Sequence, residues 1–136
     1  MTDSLRLMAF ALCLTAGGSV HVAVAHHAFA AEFDRNSPVH LTGTVTEMRW
    51  ANPHAWIYLD VQDDNGGVVN WAFETRGANN LIRLGWRPAD LPAGTVLEVR
   101  GWQARNGTPT ASLSAATLPD GRRLFAGTPD QPVQAQ

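Results

Sequence analysis

The sequence contains no lysine, so its ten basic residues are all arginines, and twelve aspartates and glutamates give a net charge of -2. Proteins that bind a nucleic-acid backbone usually carry an excess of basic residues concentrated on one face. The slight acidic excess therefore argues against nucleic acid as a partner.

Cysteine and long apolar runs are also scarce. The single cysteine, Cys13, lies within Leu7–Ala16, an apolar run of ten residues. A helix needs roughly 20 apolar residues to span a bilayer, so this run is too short to do so. Its length instead matches the apolar core of a secretory signal peptide.

Small residues at Ala23 and Ala25 form a small-x-small cleavage site after this run, and we expect cleavage after Ala25. The mature chain then begins at His26, contains no cysteine and can form no disulfide. We therefore predict a periplasmic or secreted protein with no membrane span in its mature form. A second small-x-small site ends at Ala30, and cleavage there would remove both His26 and His27.

Alternation of apolar and polar residues predicts β-strands along most of the mature chain. The predicted strands are 39–49, 56–63, 68–74, 95–104 and 110–117, with a short edge strand at 123–125. A short helix from Asn79, its predicted N-cap, through Trp86 separates the third and fourth strands. We therefore divide the chain into a signal peptide at 1–25, an N-terminal segment at 26–38, an OB-like β-barrel domain at 39–126 and a disordered tail at 127–136.

The order of these elements predicts the fold class. Three strands, a short helix and two more strands within about 80 residues are the sequence of elements in a five-stranded Greek-key barrel of the OB type. We therefore predict an all-β domain with one short helix, arranged as an OB-type barrel. The alternative is a small antiparallel β-sandwich, which would leave the helix without a packing role. Barrels of the OB type bind ligands on strands two and three and at the loops joining strands one to two and four to five.

Six motifs stand out in the mature chain: HHAFAAEFD at 26–34, GTV at 43–45, WANPHAW at 50–56, VNWAFE at 69–74, LxxxGWR at 81–87 and LPDGRxLFAG at 118–127. Together they resemble DUF6152, a bacterial family of short exported proteins of unknown function. The resemblance covers almost the whole mature chain and implies a single exported domain. It implies no activity.

The mature sequence lacks the motifs of several large enzyme classes. It has no cysteine nucleophile, no G-x-S-x-G, no phosphate-binding glycine loop and no H-E-x-x-H. This absence favours a non-enzymatic binding or accessory module over an enzyme.

Candidate ligand-binding residues surround the predicted loop between strands one and two: Trp50, Asn52, His54, Trp56 and Tyr58. Exposed aromatic rings can stack on a planar or apolar small molecule, which would be the partner of a binding module. Alternatively, these rings only pack, with Phe29 and Phe33 or Trp86 lying over them. A further alternative is an interaction subunit whose aromatic face docks another envelope protein.

Histidines suggest a different ligand, copper. A mature chain that begins at His26 would offer its free amine and imidazole, with His27 beside them, and imidazole is a good copper ligand. His54 in the predicted loop is the candidate for the third position. The competing interpretation is that His26 and His27 form a solvated N-terminus. We expect His40, on the polar face of the first strand, to be a surface residue rather than a ligand.

Overall fold

The computed structural model describes residues 29–127. The predicted signal peptide, His26, His27 and the tail from residue 128 lie outside the described residues. The cleavage site, the copper ligands of the N-terminus and the disordered tail therefore stay predictions.

Six strands account for most of residues 29–127. They are β1 (Phe33–Arg49), β2 (Trp56–Gln62), β3 (Val68–Glu74), β4 (Val96–Ala104), β5 (Thr110–Thr117) and β6 (Arg123–Phe125). Between β3 and β4 lie helix α1 (Ala78–Arg83) and a 3-10 turn (Pro88–Asp90). Residues 29–32 form a helical turn before β1.

The strands form one sheet in the order β3-β2-β1-β4-β5-β6, in which neighbours are antiparallel. An additional parallel pairing joins β3 to β5, with Ala72–Glu74 opposite Thr110–Ser112. The predicted mostly-β class is confirmed, as are the short helix between the third and fourth strands and the short edge strand. The added pairing brings the end of β3 beside the start of β5, where the candidate site lies.

Strand β1 starts at Phe33 rather than at the predicted Val39. The intervening residues are rich in turn formers, and the register of β1 against β4 shifts between Phe33 and Pro38. Within that shift the Asp34 carboxylate accepts a hydrogen bond from the Asn36 N–H at 3.0 Å, an arrangement typical of turns. This segment thus has turn chemistry while lying along β4, which is why alternation did not predict it as strand.

Strands β2 and β3 both place apolar side chains in the core. Ile57, Leu59 and Phe73 are completely buried in the core, whereas Trp56 and Tyr58, which alternate with them, are half-buried. Ile57, Leu59 and Phe73 belong to a single apolar cluster that also receives side chains from β4, β5 and α1. Burial of one face fixes the register of the strands, because a shift by one residue would expose that whole face.

The helix starts earlier and ends earlier than predicted. α1 spans Ala78–Arg83, and its N-cap is Gly77, which makes no side-chain hydrogen bond. The prediction of Asn79 as the cap was therefore wrong. Trp86 lies beyond the helix, is completely buried, and donates its Nε1–H to the Phe125 carbonyl at 3.0 Å. Burial of this indole ties the segment after α1 to β6.

None of the helices among residues 29–127 is long and apolar enough to cross a membrane.

Candidate ligand site at the β1–β2 loop

Backbone hydrogen bonds fasten the loop between β1 and β2 to the corner between β3 and α1. The Thr75 N–H donates to the Ala55 carbonyl at 2.9 Å, and the Ala55 N–H donates to the Arg76 carbonyl at 3.3 Å. At the other end of the loop, the Ala78 N–H donates to the Ala51 carbonyl at 2.9 Å. The loop is thus held at both ends by a neighbouring element, which fixes the side chains that it carries.

Gly77 allows this close approach. A Cβ at this position would lie 2.5 Å from both the Asn52 Oδ1 and the Pro53 carbonyl oxygen, so any side chain would push the loop away. The Asn52 Oδ1 also accepts a hydrogen bond from the Asn79 N–H at 3.4 Å. Asn52, a candidate ligand-binding residue from the sequence, therefore has a structural role in the loop.

His54 is held by this loop beside the carboxylate of Glu74. Its Nδ1 is hydrogen-bonded to the Glu74 Oε1. The His54 side chain is 47% exposed, while that of Glu74 is only 7% exposed. An ionised Glu74 carboxylate can only accept hydrogen bonds, so Nδ1 is the donor when Glu74 is ionised. In the neutral imidazole, the Nε2 atom then keeps its lone pair.

The burial of Glu74 has a cost that His54 offsets. A carboxylate removed from water loses solvation worth several kcal/mol unless hydrogen bonds or opposite charge replace it. Glu74 occupies the last position of β3, opposite Trp56 in the β2–β3 pairing and opposite Ser112 in the β3–β5 pairing. A carboxylic side chain is therefore placed in a buried corner of the sheet, in register with Trp56.

A cavity of about 620 Å³ opens at this corner. Trp56 and Glu74 form one wall, Phe33 and Glu32 a second, and the β4–β5 turn with Arg105 a third. Its volume lies within the range of small-molecule sites, about 300–1,000 Å³. The cavity combines an indole, an apolar ring, carboxylates and a guanidinium, and so it can accept a ligand with both a planar and a charged part.

Residues before β1 supply the second wall because aromatic packing anchors them. The ring of Phe29, itself buried, lies 5.5 Å from that of Phe33 and 5.9 Å, edge-on, from that of Trp102. Arg105 holds the same segment, since its Nε donates to the Ala30 carbonyl at 2.6 Å. Residues 29–33 are therefore packed on the β-sheet, and residues 31–33 line the cavity.

The remaining sequence candidates lie in different surroundings. Trp50 is half-buried and packs against the core. The Arg49 guanidinium lies over the Tyr58 ring, 5.3 Å from its centroid. Tyr58 is not among the residues that line the cavity. Of the five candidates, Trp56 lines the cavity and His54 contacts one of its walls.

Sequence reasoning missed Glu74 and Arg105, which the structure brings to the cavity. Glu74 ends β3 one residue beyond the buried Phe73, a position that usually faces solvent. The hairpin register could have found it, because a turn centred on Asn65 places Glu74 opposite Trp56. No comparable signal exists for Arg105, whose place depends on the parallel pairing of β3 with β5.

A second histidine–glutamate pair lies on β1 and β4. His40 Nε2 is 2.7 Å from the Glu98 Oε1, and the two side chains are 57% and 39% exposed. Hydrogen bonds from His40 and then from Arg100 lower the pKa of Glu98 below its usual value. This pair has the same chemistry as His54 and Glu74 but without the burial, which makes it a matched control.

Among residues 29–127, no group of three or more His, Cys, Asp or Glu side chains is arranged to hold a metal ion. The predicted ligands His26 and His27 lie outside the described residues.

Comparison with known proteins identifies the family of this chain. The family model that matches is the family of unknown function DUF6152, over residues 14–113. The chain belongs to that family, which confirms the resemblance of its motifs. Among curated proteins, no match to the chain is found.

Proposed function

We propose that this member of DUF6152 is an exported, non-enzymatic binding module that takes a small molecule into the cavity beside Trp56 and Glu74. The observation that carries the proposal is the placement of a buried carboxylate in the wall of a cavity of about 620 Å³. A buried charge is costly to the fold, and sites that bind charged ligands are where such a cost is offset by function.

We propose that the fold is a barrel of the OB type. The parallel pairing of β3 with β5 supports this, because it links the strand at one end of the sheet to the fifth strand in the order. Barrels of this type bind ligands on strands two and three and near the loops joining strands one to two and four to five. The cavity is lined by the start of β2, the end of β3 and the β4–β5 turn, which agrees with that location.

The walls favour a ligand of mixed character. Trp56 offers a flat ring for a planar or apolar part of the ligand. Glu74 offers a carboxylate that can accept hydrogen bonds from a cationic or donor group, and such charge-assisted bonds are about twice as strong as neutral ones. A compact aromatic amine is the simplest probe with these properties.

Benzylamine binding tests the proposal, because its ring suits Trp56 and its ammonium suits Glu74. We expect benzylamine to shift the NMR signals of Trp56 and of the β4–β5 turn, and we expect the isosteric neutral benzyl alcohol to bind more weakly. Glu74→Gln should reduce the benzylamine affinity about tenfold or more, because a hydrogen bond to a charged group contributes about 1.5–3 kcal/mol.

The control for this experiment is Glu98→Gln, which removes a carboxylate of the exposed pair on β4. It should leave the benzylamine affinity unchanged. Equal affinities for Glu74→Gln and the parent, or equal binding of the amine and the alcohol, would contradict the proposed role of Glu74.

A further inference from the structure

Two side chains of opposite charge line the same cavity from different walls. Glu74 shares its wall with Trp56, and Arg105 belongs to the wall made by the β4–β5 turn. The Glu74 carboxylate is paired with His54. The Arg105 guanidinium faces Asp34 instead, so the two cavity groups do not neutralise each other. The cavity therefore offers both a hydrogen-bond acceptor and a cation to a ligand.

The guanidinium of Arg105 has donors left for a ligand. Its Nε donates to the Ala30 carbonyl at 2.6 Å. One of its terminal nitrogens lies 4.0 Å from the Asp34 Oδ1, which is too far for a hydrogen bond, and the side chain is 50% exposed. A guanidinium carries five N–H donors in a planar fork that matches a carboxylate. Arg105 can therefore bind a ligand carboxylate while its Nε keeps the contact with Ala30.

Hydrogen bonds fix the turn that carries Arg105. The Arg105 backbone N–H donates to the Glu32 carbonyl at 2.9 Å. Within the turn, the Asn106 Oδ1 accepts hydrogen bonds from the Thr108 N–H at 3.1 Å and from its hydroxyl at 2.7 Å. The Gln103 side-chain amide donates to the Thr108 carbonyl at 3.2 Å. A binding group that is held in advance loses less conformational freedom when a ligand binds.

The sheet topology separates the two charged groups. Strand β5 pairs with β3 on one side and with β4 on the other, and neighbouring strands lie about 4.8 Å apart. The backbone of Glu74 at the end of β3 and that of Arg105 just after β4 are thus two strand spacings apart, about 10 Å or more. This separation favours a ligand whose two charged groups are held apart by a flat apolar part, for which Trp56 provides a surface.

Glu32 decides which charges such a ligand can carry. It adds a second carboxylate to the lining of the cavity, so two carboxylates accompany the one guanidinium. A ligand with a carboxylate alone would meet net negative charge, which is unfavourable. A ligand that also carries an ammonium brings the charge that complements Glu74.

We propose that the ligand of this cavity is a flat zwitterion whose ammonium is bound by Glu74 and whose carboxylate is bound by Arg105, with its ring or other apolar part on Trp56. This inference rests on the proposed function, because it adds a second charged contact to the same small-molecule site. Benzylamine uses only the part of the site formed by Trp56 and Glu74. Arg105 is then the residue that makes the site prefer zwitterions to simple amines.

The compound para-(aminomethyl)benzoate tests this preference, because it is benzylamine with a carboxylate at the far end of the ring. Its match without that charge is para-methylbenzylamine. We expect calorimetry at neutral pH and low salt to give the zwitterion an affinity about tenfold or more above that of the amine, since the carboxylate accepts charge-assisted hydrogen bonds from the guanidinium. The third probe, para-methylbenzoate, has no ammonium and should bind most weakly.

Variants of Arg105 identify the source of the preference. In Arg105→Gln the ratio of the two affinities should fall towards one, and in Arg105→Lys it should recover in part, because an ammonium keeps the charge but lacks the fork. The ratio reports on the carboxylate contact itself, since a loosened cavity would weaken both ligands alike. Arg100→Gln is the matched control, because Arg100 also lies on β4, is 54% exposed and does not line the cavity. It should leave the ratio unchanged.

Equal affinities of the parent protein for para-(aminomethyl)benzoate and para-methylbenzylamine would overturn the inference. A ratio that stays at the parent value in Arg105→Gln would overturn it as well. If benzylamine still binds and loses affinity in Glu74→Gln, the proposed binding module stands and only the zwitterionic ligand is lost. Failure of all of these probes to bind would remove both proposals.

Discussion

Gly77→Ala should displace the loop that carries His54. Its Cβ would lie 2.5 Å from the Asn52 Oδ1 and from the Pro53 carbonyl oxygen, well inside van der Waals contact. The loop must therefore move, which weakens the hydrogen bond between the Ala78 N–H and the Ala51 carbonyl. Overpacking of this kind costs about 1–3 kcal/mol.

Urea unfolding measures this loss as a lower midpoint with an unchanged slope, and the NMR signals of the His54 ring report its displacement. Gly67→Ala is the control, because the atoms nearest its Cβ would all belong to the Asp63 carboxylate, a side-chain group in an exposed turn, and none to the backbone. We expect the control to cost less than Gly77→Ala. A loss below about 0.5 kcal/mol for Gly77→Ala, with unshifted His54 signals, would refute the argument that the corner holds the loop in place.

Three further predictions concern the core and the exposed pair. Phe73→Ala should destabilise the fold by about 3–5 kcal/mol in urea unfolding, because Phe73 is completely buried. Trp71→Ala should cost less than Phe73→Ala in the same assay, since Trp71 is only partly buried, and an equal loss would contradict this ranking. His40→Ala should raise the pKa of Glu98 towards its usual value, as read from an NMR titration, because His40 is the main cause of the lowered pKa and Arg100 the next. The stabilisation from Glu98 should be present above its usual pKa and disappear as the pH falls through the lowered one.

The sequence predicted the strands best where one face is buried. In β2 the alternation around Ile57 is complete, because its apolar side chains enter the core and their neighbours do not, whereas β3 ends with Phe73 and Glu74 both buried. The start of β1 was missed because Asp34–Pro38 forms hydrogen bonds typical of turns while lying along β4. Local chemistry and tertiary pairing disagree in this segment, and only the first can be read from the sequence.

The start of helix α1 was also predicted wrongly because a tertiary contact decides it. Asn79 has the side chain of a good N-cap, yet the helix begins after Gly77. The tertiary contact with the β1–β2 loop explains the difference, because the N–H groups of Ala78 and Asn79 donate to Ala51 and Asn52 of that loop. Two of the unpaired N–H groups of the first helical turn are thus satisfied from outside the helix.

The candidate site was predicted only in part, because its residues come from distant places in the chain. His54 and Trp56 follow from the position of the loop between the first two strands. Glu74 is brought to them by the β2–β3 register, and Arg105 by the pairing of β3 with β5. The hairpin around Asn65 makes the first of these pairings readable from the sequence, whereas no local pattern indicates the parallel pairing of β3 with β5.

The most direct test of the binding module is the location of a bound probe. Nuclear Overhauser contacts between benzylamine and the protein should connect the benzyl ring to the Trp56 indole and to protons of Thr108 or Thr110, which line the same cavity. The same contacts should be lost in Glu74→Gln at equal probe concentration. Contacts to any other surface, or contacts at Trp56 that persist unchanged without the carboxylate, would contradict a binding site built around Glu74.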